Sequence, residues 1–248
     1  MQRVELHFHL LPAVDDGPVD LDEAIALARL AVADGTGVVT VTPHMHILRD
    51  DGRLGEVPAL VRDMQAALDA AGVPLEVQAG AELAQDDVAL LSDRQIDAFA
   101  HGPAGRRWVL IEAPLFADAG PYLEATAELR ARGFGTLIGH PERCDELMEM
   151  DGALERELAE GARLQVNASS LTGFHGPSAR RWGLQIVRRG LADAIASDAH
   201  GPTRPPRLSE ALDVLAAEGI PRAEAEPLVG AGPRALLAHG IAPLRRAA

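Results

Sequence analysis

Nine side chains able to hold a divalent cation recur along the chain: His7, His9, Asp16, His44, Glu82, Glu112, His140, Asp198 and His200. His7 and His9 are two apart, a spacing that on a strand aims both imidazoles to the same side. Asp198 and His200 repeat it. All nine are nitrogen or oxygen donors, with no thiolate, a set that suits Mn, Fe or Zn rather than a soft metal or an iron–sulfur cluster. The carboxylates Asp16, Glu82, Glu112 and Asp198 would repel each other if they met without cations between them. Bridging cations remove that conflict. Two of them, about 3.5–4 Å apart, can activate a water and hold both the attacking and the leaving oxygens of a phosphoryl transfer. Arg143 and Arg204 follow the His140 and His200 segments. A guanidinium can fork onto phosphate oxygens. The chemistry to expect is metal-dependent hydrolysis.

Elements that could bring these residues together are legible as short apolar runs alternating with helical segments. Strands are predicted over 4–8, 38–42, 75–79, Trp108–Glu112, Gly135–Gly139, Arg163–Asn167 and 192–197. Asp20 and Glu23 form a capping-box start, followed by Leu21, Ile25, Ala28 and Val32 at helical spacing. Further helices are expected over 57–71, 122–132, 154–160 and around 184–189, with a broken helical region over 208–239 interrupted at Pro221, Pro227 and Pro233. Such β–α alternation implies an α/β fold with a parallel sheet closed as a barrel, in a single domain spanning 1–248. In a barrel the strand C-termini converge on one face, where active sites sit. His7 and His9 end the first predicted strand, His44 follows the second, Glu82 the third, and Glu112 and His140 end the fourth and fifth. Asp198 and His200 follow the last.

Composition narrows the classes. The chain has 248 residues, 47% of them hydrophobic, enough for one sizeable core. Its formal net charge of −14 disfavours nucleic acid and anionic membranes as partners. No apolar run long enough for a membrane span occurs, and the interrupted N-terminal stretch does not read as a secretory signal. Every basic side chain is Arg, so Schiff-base and phosphate-loop lysine chemistries are excluded. Cys144, the single cysteine, cannot pair internally, which fits a reducing cytoplasm.

The motifs HFHLLPAVDDG, TPH, GAE, IEAP, GHPER, NASSLTG and SDAH with a following RPP run in that order from residue 7 to residue 206, and GPRALLAHG closes the series. Together they resemble the polymerase and histidinol phosphatase (PHP) superfamily. Within it the chain is similar to the manganese-dependent bacterial protein tyrosine phosphatases of capsule and exopolysaccharide loci, the CpsB/CapC type. The resemblance implies a distorted, TIM-like (β/α)7 barrel and up to three metal ions, Mn first, with Fe or Zn as alternatives. By motif, His7, His9, Glu82 and Asp198 would hold one ion, Glu82, Glu112 and His140 a second, and Asp16, His44 and His200 a third. Arg143 and Arg204 match the family's phosphate-binding arginines. The implied substrate is a phosphotyrosine protein, a bacterial tyrosine kinase of polysaccharide export, attacked by a metal-activated water. A PHP phosphatase of small molecules such as histidinol phosphate, a phosphodiesterase and a non-catalytic metal-binding module are the alternatives. The chain departs from the family pattern at Glu5, where Asp is usual, at Phe8, at the TPHMH sequence that displaces His46, and at Cys144.

Other residues invite plainer expectations. Asp16 is preferred to Asp15 as a ligand. His46 divides between rim contact and solvated loop, and His101, His175 and His239 are expected at the surface. Cys144 is no nucleophile, because the position six residues on, where a cysteine phosphatase carries Arg, is Met150. Asn167 is expected to fix a strand-end turn. Phe8, Phe116, Tyr122 and Phe174 are the few aromatic residues near strand ends that could meet an aryl substrate.

Overall fold

The computed structural model of the chain describes residues 2–115 and 118–243, so Phe116 lies outside the described residues. After strand β1 (Arg3–Phe8), helix α1 (Leu21–Ala33) starts where Asp20 accepts the Glu23 N–H at 2.9 Å. Its buried residues Ala24, Leu27, Ala28 and Ala31 form one stripe. There follow β2 (Thr36–Val41), α2 (Met45–Asp50), α3 (Val57–Ala70), β3 (Glu76–Ala79), β4 (Glu82–Leu83), α4 (Gln85–Leu90), α5 (Asp93–Asp97) and β5 (Trp108–Glu112). The second half comprises α6 (Ala119–Ala131), β6 (Gly135–Gly139), α7 (Asp145–Glu149), α8 (Ala153–Ala159), β7 (Arg163–Asn167), α9 (Ala168–Leu171), α10 (Gly176–Arg188) and β8 (Ala194–Ala196). It ends with α11 (Leu208–Ala217), α12 (Arg222–Ala225) and α13 (Ala231–His239). Pro221 and Pro227 do interrupt this last region. Pro233 does not: it sits in the first turn of α13, where a missing N–H costs nothing.

All strand pairs are parallel, in two sheets ordered β1-β2-β3 and β4-β5-β6-β7-β8. The sheets meet at both edges. Phe8 bridges Ala199 and His44 bridges Glu82, both parallel. At the first seam His9 N donates to Ala199 O at 3.0 Å and Asp198 N to His7 O at 3.1 Å; at the second, Glu82 N donates to Pro43 O at 3.1 Å. β3 and β4 are thus two halves of one interrupted barrel strand, and the architecture is the distorted, TIM-like (β/α)7 barrel. Glu82, expected in a loop after the third strand, instead sits on the second half of it, paired with Leu110 of β5. The interruption falls at Gly80. A Cβ there would stand 2.5 Å from Thr40 Cγ2 and 2.8 Å from His101 Nε2, an approach only glycine permits.

Strand alternation sorts the apolar residues into two layers. Val39, Val41, Val109, Ile111, Ile138, Leu164, Val166 and Ile195 face outward and join the large cluster shared with the surrounding helices, among them α1, α6 and α10. Val4, Leu6, Val38, Trp108, Leu110, Leu137 and Ala194 form a separate inner cluster with Leu236 of α13 and Ile241. Trp108 Nε1 donates to Leu236 O at 3.0 Å, so α13 seals the N-terminal end of the barrel. His101 is not a surface residue: its ring lies 4.9 Å from that of Trp108, and burial lowers its pKa to about 4. Tyr122 and Phe8 are fully buried in the outer cluster and cannot contact a substrate. Phe174 is exposed.

Candidate metal centre

The strands above the inner cluster end in charge. β1 would alternate Glu5 and His7 to one side, but its pairing with β2 slips: Glu5 faces Val39 and Phe8 faces Val41. The extra residue is a β-bulge, a device that re-aims side chains at a barrel rim. It lets Leu6 join the inner cluster while His7 and His9 turn toward the rim. Thr42 Oγ1 accepts the Phe8 N–H at 3.0 Å and holds the bulge in place. Glu5, left on the other side, is fully buried and accepts the Ser197 N–H at 2.7 Å. Burial lifts its carboxyl to about 7. At the ends of β6 and β8, His140 (φ 36°) and Asp198 (φ 52°) adopt left-handed backbone. Non-glycine residues rarely do so, and such strain collects at functional sites.

All nine residues marked in the sequence converge. Four overlapping groups each bring ligand atoms within 4.8 Å of one another: His9, Asp16, His44 and His200; His7, His9 and Asp198; His7, Glu82 and His140; His44, Glu82 and Glu112. The two β1 histidines are the most telling. Their Nε2 atoms lie 3.3 Å apart. Both Nδ1 atoms are occupied on the far side, His7 by Gln165 Oε1 at 2.9 Å and His9 by Asp15 Oδ2 at 2.8 Å. With protons on Nδ1, both Nε2 lone pairs point into one space. Asp198 Oδ1 lies 3.3 Å from the first and 3.5 Å from the second, and Glu82 oxygens lie 3.1 and 3.3 Å away. Such a convergence of lone pairs and carboxylates calls for a positive charge at its centre. His200 follows the same logic: Nδ1 faces the Asp198 carbonyl at 2.9 Å, leaving Nε2 toward Asp16 at 3.2 Å.

The electrostatics describe the same demand. Burial would raise the carboxyls of Glu82 and Asp198, but nearby histidines hold both below the usual carboxylate range. Burial and the neighbouring Glu82 push Glu112 up to about 7. Burial opposes charge on His44, yet Glu82 and Asp16 raise it to about 9. Burial and Arg143 lower His140 to about 4. Protons thus stand in for cations, and cation binding would release them.

Asp15 and Asp16 divide the work of their turn. The Asp15 carboxylate is buried on His9 Nδ1, His44 N and Gly17 N. That of Asp16 is 57% exposed and reaches toward His44 and His200. Arg204 and Arg143 both approach Asp198 Oδ2, at 2.7 and 3.4 Å. A tight turn places the first, with Arg204 N donating to Gly201 O at 3.1 Å; the short 3-10 turn Pro141–Arg143 places the second. A cavity of about 180 Å³ opens beside Arg143, lined also by Leu115, Glu142, His175 and Ser178. His175 therefore belongs to the rim rather than to the open surface, whereas His239 is exposed as expected. His46 has its ring 5.3 Å from that of His44 but enters none of the four groups. Cys144 is buried, its Sγ accepting the Leu147 N–H at 3.4 Å at the start of α7.

Three residues were not anticipated in their roles: Asp15, Gln165 and Asn167. Asn167, expected only to fix a turn, donates from Nδ2 to Asp198 Oδ2 at 2.8 Å. Gln165 reaches His7. The available signal was polarity at alternate positions of β7: Gln165 and Asn167 interleave with the outward-packed Leu164 and Val166.

Residues 3–237 match the family described as capsular polysaccharide synthesis, CpsB/CapC. The tyrosine-protein phosphatase YwqE of Bacillus subtilis (strain 168) is 32% identical over 226 residues, which cover 87% of this chain and 84% of that one. The tyrosine-protein phosphatase CpsB of Streptococcus pneumoniae is 23% identical over 224 residues, 86% of this chain and 89% of that one. A crystal structure from work on these two proteins, described as unique metal-dependent tyrosine phosphatases, superimposes with a TM-score of 0.75 at 28% identity, covering 98% of this chain and 100% of that one. The phosphotriesterase homology protein of Escherichia coli, with phosphate in its active site, shares the fold at a TM-score of 0.64 and 14% identity, covering 94% of this chain and 97% of that one.

Proposed function

The chain belongs to the CpsB/CapC family, and from that premise we propose that it is a metal-dependent protein-tyrosine-phosphatase whose centre is formed by the nine rim residues. The observation that carries the reading is the pair of imidazole Nε2 atoms on His7 and His9, 3.3 Å apart and facing buried carboxylates. The ligands are His7, His9, Asp16, His44, Glu82, Glu112, His140, Asp198 and His200, and up to three divalent ions fit their four overlapping groups. Mn is the proposed ion, with Fe and Zn as alternatives the donor set also admits. When bound, such cations supply an activated water and neutralise charge on the phosphoryl oxygens.

The chain's own residues do the rest. Arg143 and Arg204 lie on the metal side of the rim, partly shielded from solvent, and each can offer two parallel N–H groups to non-bridging phosphate oxygens. Asp198 holds both guanidiniums near the centre before substrate arrives. Among the described residues no buried aromatic clamp stands at the rim, since Phe8 and Tyr122 are in the core. The phosphate is therefore the main handle, and sequence around the phosphotyrosine has little influence.

The proposed partner is a phosphotyrosine protein, a bacterial tyrosine kinase of polysaccharide export, met in the cytoplasm. The single cysteine fits that compartment, and no helix among the described residues is long and apolar enough to cross a membrane. The whole chain, 1–248, is read as one catalytic domain. The test is a side-by-side kcat/KM comparison of a phosphotyrosine peptide, a phosphoserine peptide, histidinol phosphate and a short oligonucleotide, after metal stripping and with Mn, Zn or Fe restored. Phosphotyrosine with Mn is expected to lead, and the phosphoserine peptide to lag because an alkoxide leaves less readily than a phenoxide. A lead of orders of magnitude for histidinol phosphate or the oligonucleotide would overturn the tyrosine-phosphatase reading.

A further inference from the structure

Strand β7 places none of the nine ligands at the rim, yet its two inward side chains touch two of them. Gln165 and Asn167 are fully buried. Asn167 Nδ2 meets Asp198 Oδ2 at 2.8 Å, Gln165 Nε2 meets Asn167 Oδ1 at 2.8 Å, and Gln165 Oε1 meets His7 Nδ1 at 2.9 Å. Asn167 is itself anchored by its backbone N–H, which Glu142 Oε1 accepts at 2.9 Å.

Each link in this chain has one chemically allowed direction. Asp198 Oδ2 receives Arg204 at 2.7 Å and Arg143 at 3.4 Å, so it is an acceptor and carries no proton. Asn167 must therefore turn its NH2 group toward Asp198, which leaves its oxygen toward Gln165. Gln165 must then donate to that oxygen, which leaves its own oxygen toward His7. His7 must place its proton on Nδ1, and its Nε2 is left bare toward Glu82 and Asp198 Oδ1. A histidine tautomer is ordinarily set by whatever hydrogen bond its other nitrogen makes. Here the determinant lies three bonds away, at the opposite oxygen of a carboxylate that faces the same centre.

We propose that Gln165 and Asn167 are positioning residues forming a directional hydrogen-bond relay, through which the ionised Asp198 holds His7 in the Nδ1–H tautomer and so presents His7 Nε2 as a ligand. The proposal rests on the metal-centre reading for what the presented lone pair is used for. The geometry of the relay stands without it. It also explains why two amides are buried in a barrel interior: replaced by apolar residues they would leave His7 Nδ1 without its partner and take one donor from Asp198 Oδ2.

The test uses the full chain labelled with 15N-histidine. Long-range 1H–15N correlation on metal-stripped protein at alkaline pH, where the imidazole is neutral, reads the His7 tautomer, and competition with a chelator reads Mn affinity. Wild type is expected as pure Nδ1–H. Gln165→Leu removes the acceptor and should release the tautomer and weaken Mn binding by about 10–100-fold. Asn167→Leu leaves Gln165 beside His7 but cuts the link to Asp198, so it should also release the tautomer. Gln165→Glu cannot donate to Asn167 but keeps an acceptor on His7 Nδ1 and should retain the Nδ1–H form. Wild-type tautomer in Gln165→Leu would overturn the relay, as would wild-type tautomer in Asn167→Leu, which would make Gln165 alone sufficient. Equal damage in Gln165→Leu and Gln165→Glu would make position 165 one of packing and overturn it too. If Gln165→Leu fails to fold, the tautomer in Asn167→Leu decides: a mixture supports the relay, pure Nδ1–H overturns it. Neither readout involves a phosphate ester. A wild type that binds Mn but hydrolyses no phosphotyrosine would overturn the proposed activity and leave the relay intact.

Discussion

The two ends of the barrel are made from the same strands and solve opposite problems. At the N-terminal end Val4, Leu6, Leu110, Leu137 and Trp108 fill the interior, and Leu236 closes it. Burial there is favourable in itself, about 25 cal/mol per Å² of apolar surface. At the C-terminal end His7, His9, Glu82, His140 and Asp198 are no less buried, each at 3% exposure or below. Burying those groups is costly unless they are paired or hold a cation. Stability accordingly resides in the lower end and ligand binding in the upper. A substitution at one end should leave the other's property largely untouched.

The largest effect should come from the rim. His7→Ala, Glu82→Ala, His140→Ala or Asp198→Ala should each lower turnover on the order of a thousandfold or more, the scale of losing a major electrostatic stabiliser. Circular dichroism should remain that of a folded protein. Any two of these variants with normal turnover at full metal occupancy would show that the centre lies elsewhere. Trp108→Ala should do the reverse. It should cost about 3–5 kcal/mol of stability, read by denaturant unfolding, while metal bound per folded molecule stays constant. Loss of metal binding without loss of stability would erase the distinction between the two ends.

A smaller effect is expected at the guanidiniums. Arg204→Ala and Arg143→Ala should each reduce kcat/KM for an aryl phosphate by about a hundredfold, with little change in metal content. The loss at Arg204 should be the greater, because it lies closer to Asp198, at 2.7 rather than 3.4 Å.

The smallest effect sharpens the contrast through pH. In the metal-free protein Glu82 and Asp16 hold His44 up to about 9 against the opposing effect of burial. A histidine raised in the folded state contributes stability that is full below its unfolded pKa of about 6.5 and lost as pH rises through the folded value. The metal-free fold should therefore lose stability between pH 6.5 and 9. A cation takes the proton's place, so bound Mn should add more to the melting temperature at pH 9 than at pH 6.5, and its affinity should rise with pH over that interval. A stabilisation by Mn that is flat or falling across this range would mean that His44 gives up no proton on binding.

Much of this arrangement is written locally. The strands Trp108–Glu112, Gly135–Gly139 and Arg163–Asn167 have the bounds their apolar runs suggest, and each donor at a strand end stands beside a run that names its strand. Alternation and spacing act over a few residues, so the parallel barrel, its rim and the oxygen–nitrogen character of the centre are properties of the sequence by itself. The remainder depends on partners distant along the chain. The bulge that turns His7 inward exists only in the register of β1 against β2. Glu82 became a strand residue because Leu110 of β5 was there to pair with it. His101, a surface residue by type, is half-buried because it packs on Trp108 beside a glycine that leaves it room. Asp15 and Asp16 are identical by type and adjacent; the sequence favours Asp16 as the ligand, but the role of Asp15 as hydrogen-bond partner of His9 comes only from the folded position of that ring. Gln165 and Asn167 touch residues 158 and 31 positions away. A side chain's periodicity tells which way it faces, but the partner that gives it a role arrives from another strand, and only close packing brings the two together.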